Sequence, residues 1–194
     1  MQVIAGQFKG RKLFAPPGRS TRPTSGKVRE AVFNICADIV RGAMVADLFA
    51  GTGAMGIEAL SRGAGYTVFV EADRGAAELI KKNLAVCRAL DRASVFCHDL
   101  RHASRVLENA GAAFDLVFMD PPYNAGALGP ALQNLIKSGT LAPEAVVVVE
   151  HSPSEPVYRD PAVLEEFDRR RYGKTVVSFL SHVVANRKKP AEPI

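Results

Sequence analysis

Apolar and polar positions along the chain form segments that predict strands and helices in turn. Short, almost continuously apolar runs predict strands at residues 44–49, 66–71, 94–98, 114–120 and 145–150. Between them, apolar residues recur at helical spacing at residues 54–62, 74–89, 101–110 and 127–138. Apolar strands separated by helices indicate a parallel sheet that is covered by helices on both faces. We therefore predict an α/β fold.

The two ends of the chain depart from this alternation. Residues 1–14 predict a short β-hairpin with its turn at residues 6–10. Residues 25–41 predict a lead helix that Thr24 or Ser25 caps and that closes at Gly42. Residues 163–184 predict two antiparallel strands that turn at Tyr172 and Gly173, although residues 163–171 also fit a helix. We expect one domain over residues 1–186, in which residues 1–24 form an arm, and a flexible tail over residues 187–194.

Composition narrows the class of protein. Of the 194 residues, 47% are apolar and 23% are charged, which excludes a disordered or low-complexity chain. The apolar runs are far shorter than the ~18 to 20 residues of a membrane span, and the N-terminus does not resemble a secretory signal. We therefore expect a cytoplasmic protein without a membrane partner. The three cysteines form no CxxC pair and the four histidines are dispersed, so we predict buried thiols and no metal site.

Positive charge is concentrated at the start of the chain. The formal net charge is +5, and residues 1–29 contain seven Lys or Arg and no Asp or Glu. Each basic side chain that meets a phosphate releases counterions and gains affinity, so this segment favours binding to a nucleic acid over the alternative of a solvated basic end. The candidate RNA-binding residues are Lys9, Arg11, Lys12 and Arg19.

A glycine-rich turn, DLFAGTGAMG at residues 47–56, follows the first predicted strand. Gly51 and Gly53 would let the backbone turn tightly and approach a ligand at the start of a helix, although such a turn also occurs without a ligand. Glu71 ends the second strand, where a carboxylate can accept both hydrogen bonds of a ribose diol. Asp99 follows the third strand and would face the same crevice. Together they predict a nucleoside-containing cofactor, and both NAD and S-adenosylmethionine fit.

The fourth predicted strand ends in a loop that distinguishes these cofactors. Its sequence is Asp120-Pro121-Pro122-Tyr123. The prolines lack N–H groups, so the loop presents carbonyl acceptors that, with Asp120, can accept both hydrogens of an exocyclic amine, while Tyr123 can stack on the base. Asp-Pro is also common in plain turns. The loop has no evident use in a nicotinamide oxidoreductase. It therefore favours S-adenosylmethionine and methyl transfer to an amine.

Four motifs in order carry a family resemblance. DPPY after the fourth strand and DLFAGTG after the first resemble the amino-methyltransferases of the Rossmann-like class that depends on S-adenosylmethionine. RPTSGKVREAVFNI (residues 22–35) and GTGAMGIEALSRGA (residues 51–64) resemble the RsmD family of bacterial ribosomal RNA methyltransferases, which act on the N2 amine of a guanine in small-subunit ribosomal RNA. The resemblance covers residues 3–183. It implies a Rossmann-like, mainly parallel seven-stranded sheet with an antiparallel C-terminal hairpin and a short N-terminal β-hairpin arm.

The resemblance also implies roles for individual residues. Asp47, Gly51 and Gly53 would surround the methionine half of S-adenosylmethionine, Glu71 would bind its ribose, and Arg22 and Thr24 would close over its carboxylate. Asp99 would lie near the adenine, although a neighbouring backbone amide could make that contact instead. The target amine would lie among Asp120, Pro121, Pro122 and Tyr123.

Several alternatives share part of this pattern. An adenine-N6 methyltransferase of DNA or RNA can share DPPY, although 194 residues leave no room for a sizeable target-recognition insert. A noncatalytic RNA-binding or ribosome-assembly factor could keep the fold, although the glycine turn and Asp120 are both intact. We expect a monomer whose partner is small-subunit ribosomal RNA, either naked or in an assembling subunit.

Overall fold

A mixed seven-stranded sheet forms the centre of the protein. The computed structural model describes residues 1–16, 26–101, 105–111, 113–157 and 160–183. The strands are β1 (Met44–Leu48), β2 (Tyr66–Glu71), β3 (Ala93–Cys97), β4 (Phe114–Met119), β5 (Leu141–His151), β6 (Leu164–Tyr172) and β7 (Thr175–His182). The helices are α1 (Gly26–Ile35), α2 (Ala37–Val40), α3 (Ala54–Ser61), α4 (Arg74–Cys87), α5 (Arg105–Glu108) and α6 (Leu128–Ser138). Among the described helices, none is long and apolar enough to cross a membrane.

The order of the strands across the sheet is β3-β2-β1-β4-β5-β7-β6. The first five strands in this order pair in parallel, whereas β7 is antiparallel to both β5 and β6. The predicted parallel sheet with an antiparallel C-terminal hairpin is therefore confirmed. The chain runs outward from β1 through β2 to β3 and then returns to the other side of β1. In sheets of this kind, ligands bind outside the carboxyl ends of the strands at such a point of reversal.

Alternate residues of the central strands pack in two different layers. Val45 of β1 packs with residues of α1, α3 and α4 on one face, whereas Ala46 and Leu48 pack with residues of α6 on the other. Both faces of each central strand are therefore buried, which is the physical reason for its continuous apolar sequence.

Some predicted boundaries differ from the structure. The predicted lead helix is observed as α1 and α2, which are interrupted at Cys36 (φ −91°, ψ 12°). Only Arg105–Glu108 is helical among the described residues of the predicted helix 101–110, and β5 begins four residues earlier than predicted. Cys36 and Cys87 are buried, but Cys97 is exposed, so the prediction of three buried thiols is wrong at Cys97. The predicted tail and the predicted caps Thr24 and Ser25 lie outside the described residues.

Residues 1–16, which are the described part of the predicted arm and are called the arm from here on, pack against the body of the protein. Instead of two strands, the arm forms one antiparallel bridge between Gln2 and Lys12. Three apolar side chains of the arm are buried in the core: Val3, Phe8 and Leu13. Gly6 has φ +78°, and a Cβ there would lie 1.9 Å from the carbonyl oxygen of Ser61. The arm therefore approaches α3 at a distance that only glycine permits.

Glu58 of α3 fixes the arm to the body. Its fully buried carboxylate accepts hydrogen bonds from the backbone N–H groups of Ile4 (2.8 Å) and Ala5 (2.9 Å). It also lies 2.9 Å from Nε of Arg62 and 3.5 Å from Nε of Arg29. Burial lowers the pKa of Arg29, whereas the Glu58 charge acts in the opposite direction. Glu58 therefore joins the arm, α1 and α3 through one buried charge.

Candidate active site

Residues predicted to bind the cofactor and the target meet at one edge of the sheet. Glu71 ends β2 and Asp99 follows β3, on one side of β1. Asp120 follows β4 on the other side, where Met119 pairs with Leu48 of β1. The carboxyl ends of these parallel strands therefore place the predicted cofactor residues and the predicted amine residues on opposite sides of the reversal point.

The segment from Phe49 to Gly53, here called the glycine loop, connects β1 to α3. Phe49 has φ +63°, Gly51 has +55° and Gly53 has +76°. A left-handed conformation is strained for phenylalanine, and such strain is common at functional sites. A Cβ on Gly53 would lie 3.2 Å from Cγ2 of Ile80 and 3.3 Å from the Phe69 ring, so it would point into the core. The loop therefore needs glycine at position 53 for its conformation and packing.

Asp47 lies beneath the glycine loop and is 4% exposed. Its Oδ2 accepts a hydrogen bond of 2.8 Å from the N–H of Gly56, in the first turn of α3. A carboxylate at that position satisfies an N–H that the helix leaves without a partner. Burial, together with the charges of Asp120 and Glu71, raises the pKa of Asp47 to about 8, against the lowering effect of the Gly56 bond. Asp47 therefore supports the start of α3 and responds to charge in the crevice.

Glu71 connects the end of β2 to the glycine loop. Its Oε2 accepts a hydrogen bond of 2.7 Å from the N–H of Gly51, and its Oε1 accepts one of 2.9 Å from the N–H of Asp73. A carboxylate offers about four lone-pair sites, so these two bonds leave capacity for a diol. The sequence prediction of a ribose contact at Glu71 is compatible with this geometry.

Asp99 has a close partner in Arg101. The guanidinium of Arg101 donates from Nη2 to Oδ2 of Asp99 (2.6 Å) and from Nε to both oxygens (3.0 Å and 3.1 Å). The contact of Asp99 with the adenine therefore stays a prediction, and any such contact would share the carboxylate with Arg101.

The segment from Asp120 to Tyr123, here called the DPPY loop, lies beside β5 and β7. Asp120 is partly buried, Pro121 is buried and Pro122 is exposed. The hydroxyl of Tyr123 donates to Oε1 of Glu150 (2.8 Å) and lies 3.0 Å from Oγ1 of Thr175.

These contacts hold the Tyr123 hydroxyl while 39% of the residue stays exposed. Burial raises the pKa of the Tyr123 phenol, and the Glu150 and Asp120 charges raise it further, so the hydroxyl stays protonated. The exposed residue therefore presents an anchored ring at the mouth of the crevice.

The predicted RNA-binding residues differ in their surroundings. Lys9 and Lys12 are exposed. Arg11 donates from Nη1 to the carbonyl of Val86 and stacks over the Phe8 ring, with 5.4 Å from the guanidinium carbon to the ring centroid. Arg11 therefore packs on the protein itself. The predicted residues Arg19, Arg22 and Thr24 lie outside the described residues.

Sequence reasoning missed four residues that position this edge. Gly56 approaches Phe69 so closely that a Cβ would lie 2.3 Å from the ring, and the spacing G-x-G-x-x-G from Gly51 could have identified it. Glu150 ends the predicted fifth strand. Its position at the carboxyl end of a strand, like that of Glu71, could have identified it as a residue of this edge. Glu58 is a charge within the apolar stretch of α3. Nothing in the sequence around Asn83, the fourth residue, marks its role.

Within the described part of the chain, metal ligands are not gathered at this edge. Among the residues that the structure describes, no group of three or more His, Cys, Asp or Glu side chains could hold a metal ion. His151 is buried, with Nδ1 2.9 Å from the Ser152 carbonyl and Nε2 3.0 Å from the Ser178 hydroxyl. This histidine has a structural partner on each ring nitrogen.

Known proteins are similar to this chain in sequence and in fold. The family model described as Conserved hypothetical protein 95 matches residues 1–181. Ribosomal RNA small subunit methyltransferase D of Escherichia coli is 39% identical over 77% of this chain and 74% of its own length, and YlbH of Bacillus subtilis is 35% identical over 92% and 97%. The solved structure of yhhF from Escherichia coli has a TM-score of 0.80 and 32% identity, and the match covers 94% of this chain and 97% of that one. The resemblance seen in the sequence is therefore confirmed, and this chain belongs to the RsmD family of ribosomal RNA methyltransferases.

Proposed function

We propose that this protein transfers a methyl group from S-adenosylmethionine to the exocyclic N2 amine of a guanine in small-subunit ribosomal RNA. The observation that carries the proposal is the placement of the glycine loop and Glu71 on one side of the reversal point and of the DPPY loop on the other. The relative named ribosomal RNA small subunit methyltransferase D supports RNA as the substrate class.

The cofactor would lie over the carboxyl ends of β1, β2 and β3. Glu71 would bind the ribose diol, and Gly51 and Gly53 would let the backbone approach the methionine half. Asp47 and the nearby carboxylates would favour a ligand that carries positive charge. Because Arg101 occupies the Asp99 carboxylate, we assign the adenine contact to a backbone amide beside Asp99.

The DPPY loop would hold the target amine. S-adenosylmethionine supplies a methyl group on a positively charged sulfur. Asp120 and the loop carbonyls would accept the two N–H groups of the amine and localise its lone pair for in-line attack, since the lone pair of a ring-conjugated amine is otherwise delocalised. The nitrogen–carbon bond forms as the carbon–sulfur bond breaks, and the electron pair of that bond remains on sulfur. Asp120 would stabilise the positive charge on nitrogen until the amine releases a proton to solvent.

The target is tested by a change of substrate. Ribosomal RNA and partly assembled small subunits, both from cells that lack this enzyme, are incubated with labelled S-adenosylmethionine, and the nucleosides are analysed. We expect N2-methylguanosine, and no transfer when inosine, which lacks the N2 amine, replaces the modified guanine. N6-methyladenosine would instead favour the adenine alternative. RNA binding without transfer to either substrate would favour a noncatalytic assembly factor.

The role of Asp120 is tested by a matched pair of variants on β4 and its flank. Asp120→Ala should lower turnover by ~10²- to 10³-fold, the usual effect of losing one preorganised electrostatic contact, while S-adenosylhomocysteine binding is kept. The control is Asp115→Ala, since Asp115 lies at the opposite end of the same strand and accepts the N–H of Met44 there (2.8 Å). Equal turnover of the two variants would contradict a role for Asp120 in the reaction.

The arm would contribute affinity without base specificity. Lys9 and Lys12 are exposed, so we assign phosphate contacts to them. Lys9→Gln and Lys12→Gln should each lower the slope of log affinity against log salt by ~0.7 to 0.9. The exposed Lys137, at the end of α6, serves as a control, and Lys137→Gln should leave the slope unchanged. If neither arm variant changes the slope, the arm has a structural role only.

A further inference from the structure

One buried side chain joins the arm to the glycine loop. Asn83 of α4 is 0% exposed. Its Oδ1 accepts the N–H of Phe14 (2.7 Å), and its Nδ2 donates to the carbonyls of Phe14 (3.2 Å) and Thr52 (2.9 Å). These bonds use its acceptor and two donor groups. The buried amide is therefore fully bonded only when the arm and the glycine loop are both in place.

The two partners of Asn83 belong to different binding regions. Phe14 lies 69 positions from Asn83 in sequence and only two after the exposed Lys12. Thr52 lies 31 positions from Asn83 and directly follows Gly51, whose N–H is bound by Glu71. A continuous series of contacts thus runs from the proposed RNA-binding surface to the proposed ribose-binding carboxylate.

We propose that Asn83 is a positioning residue that couples the binding of RNA to the binding of S-adenosylmethionine. RNA bound at Lys9 and Lys12 would restrict the arm, and Asn83 would transmit this restriction to the carbonyl of Thr52. The ordering cost of the glycine loop on cofactor binding is then smaller, so each ligand strengthens the binding of the other. This inference rests on the proposed function, since it requires both ligands.

The coupling is measured by calorimetry with S-adenosylhomocysteine, in the presence and absence of a small-subunit ribosomal RNA fragment. We expect RNA to strengthen binding to the unaltered protein by about 5-fold or more, within the usual range of couplings between sites. By reciprocity, S-adenosylhomocysteine should strengthen RNA binding by the same factor. Asn83→Ala should reduce both factors to about 1 and weaken S-adenosylhomocysteine binding in the absence of RNA.

Two controls separate coupling from loss of stability. Leu84 is the next residue on α4 and is 0% exposed, so Leu84→Ala removes core packing without removing the Asn83 bonds. It should lower the melting temperature and keep the coupling factor. Phe14→Ala removes a ring that is 55% exposed but keeps the backbone groups that Asn83 binds, so it should also keep the factor.

A variant that retains the volume of the side chain covers the case in which Asn83→Ala does not fold. Asn83→Leu has the same number of side-chain heavy atoms and buries no charge, but it lacks the donor to Thr52 and the acceptor for the Phe14 N–H, so it should abolish coupling with less loss of packing. A factor of 1 in the unaltered protein, or an unchanged factor in folded Asn83 variants, overturns the inference. Failure of the unaltered protein to bind S-adenosylhomocysteine or RNA would instead contradict the proposed function.

Discussion

Replacement of Glu58 by glutamine tests whether one buried charge holds the arm in place. Its Oε2 accepts from Ile4 and faces Arg29, and its Oε1 accepts from Ala5 and Arg62. Glutamine has nearly the same shape but only one oxygen. Either orientation of its amide therefore points an NH₂ group at one backbone N–H and one guanidinium.

The expected loss of stability is large because the ion pair is buried. Glu58 is fully buried and the side chain of Arg29 is 4% exposed. Removing one partner of a buried ion pair costs about 3 to 5 kcal/mol, since it leaves the other charge without compensation. We therefore expect Glu58→Gln to lower the free energy of unfolding by about 3 to 5 kcal/mol, a large share of the total for a domain of this size.

Urea unfolding measures this loss, and hydrogen exchange locates it. The midpoint should fall while the slope against urea stays the same, and the amides of Ile4 and Ala5 should exchange faster. The matched control is Glu78→Gln, because Glu78 pairs with Lys81 (2.8 Å) at the surface, where the two side chains are 56% and 49% exposed, so this change should leave the midpoint unchanged. If Glu58→Gln lowers the free energy of unfolding by less than about 1 kcal/mol, or if the two variants have equal effects, the buried charge of Glu58 does not hold the arm in place.

Three further predictions concern the crevice. Gly51→Ala should lower stability by ~1 kcal/mol through its left-handed φ alone, whereas Gly53→Ala should cost more because its Cβ also meets Ile80; equal unfolding midpoints would contradict this. The pKa of Asp47 is raised from 3.8 to about 8, so between these pH values the folded protein holds a proton that the unfolded chain releases. The contribution of Asp47 to stability should therefore fall as the pH rises from about 4 to about 8. Binding of positively charged S-adenosylmethionine at pH 7 should therefore release the proton of the Asp47 carboxyl. Calorimetry in buffers of different ionisation enthalpy detects this release. Equal binding enthalpies in all buffers, or proton release that persists in Asp47→Asn, would exclude this linkage. Tyr123→Phe should lower kcat/KM for RNA by about 10-fold, because the ring loses a hydrogen-bonded anchor; unaltered kinetics would show that the anchor is dispensable.

The sequence by itself determined the sheet and the chemistry at its edge. Continuous apolar runs separated by helical spacing predict buried parallel strands, because strands covered on both faces need no polar side. Gly51, Glu71 and Asp120 each follow or end such a run, so the parallel arrangement brings them to one edge. These are local patterns, and local patterns can be read from adjacent residues.

The tertiary structure alone decided how the arm and the glycine loop are held. Asn83 binds Phe14 across 69 positions, and Glu58 binds Ile4 across 54. Neither partner can be identified from spacing or periodicity, because the contacts arise only when α3 and α4 pack beside the arm. The contact that a Cβ on Gly53 would make likewise depends on Ile80, a residue of another helix. Contacts of this kind depend on which elements become neighbours, and a local pattern of residues does not carry that information.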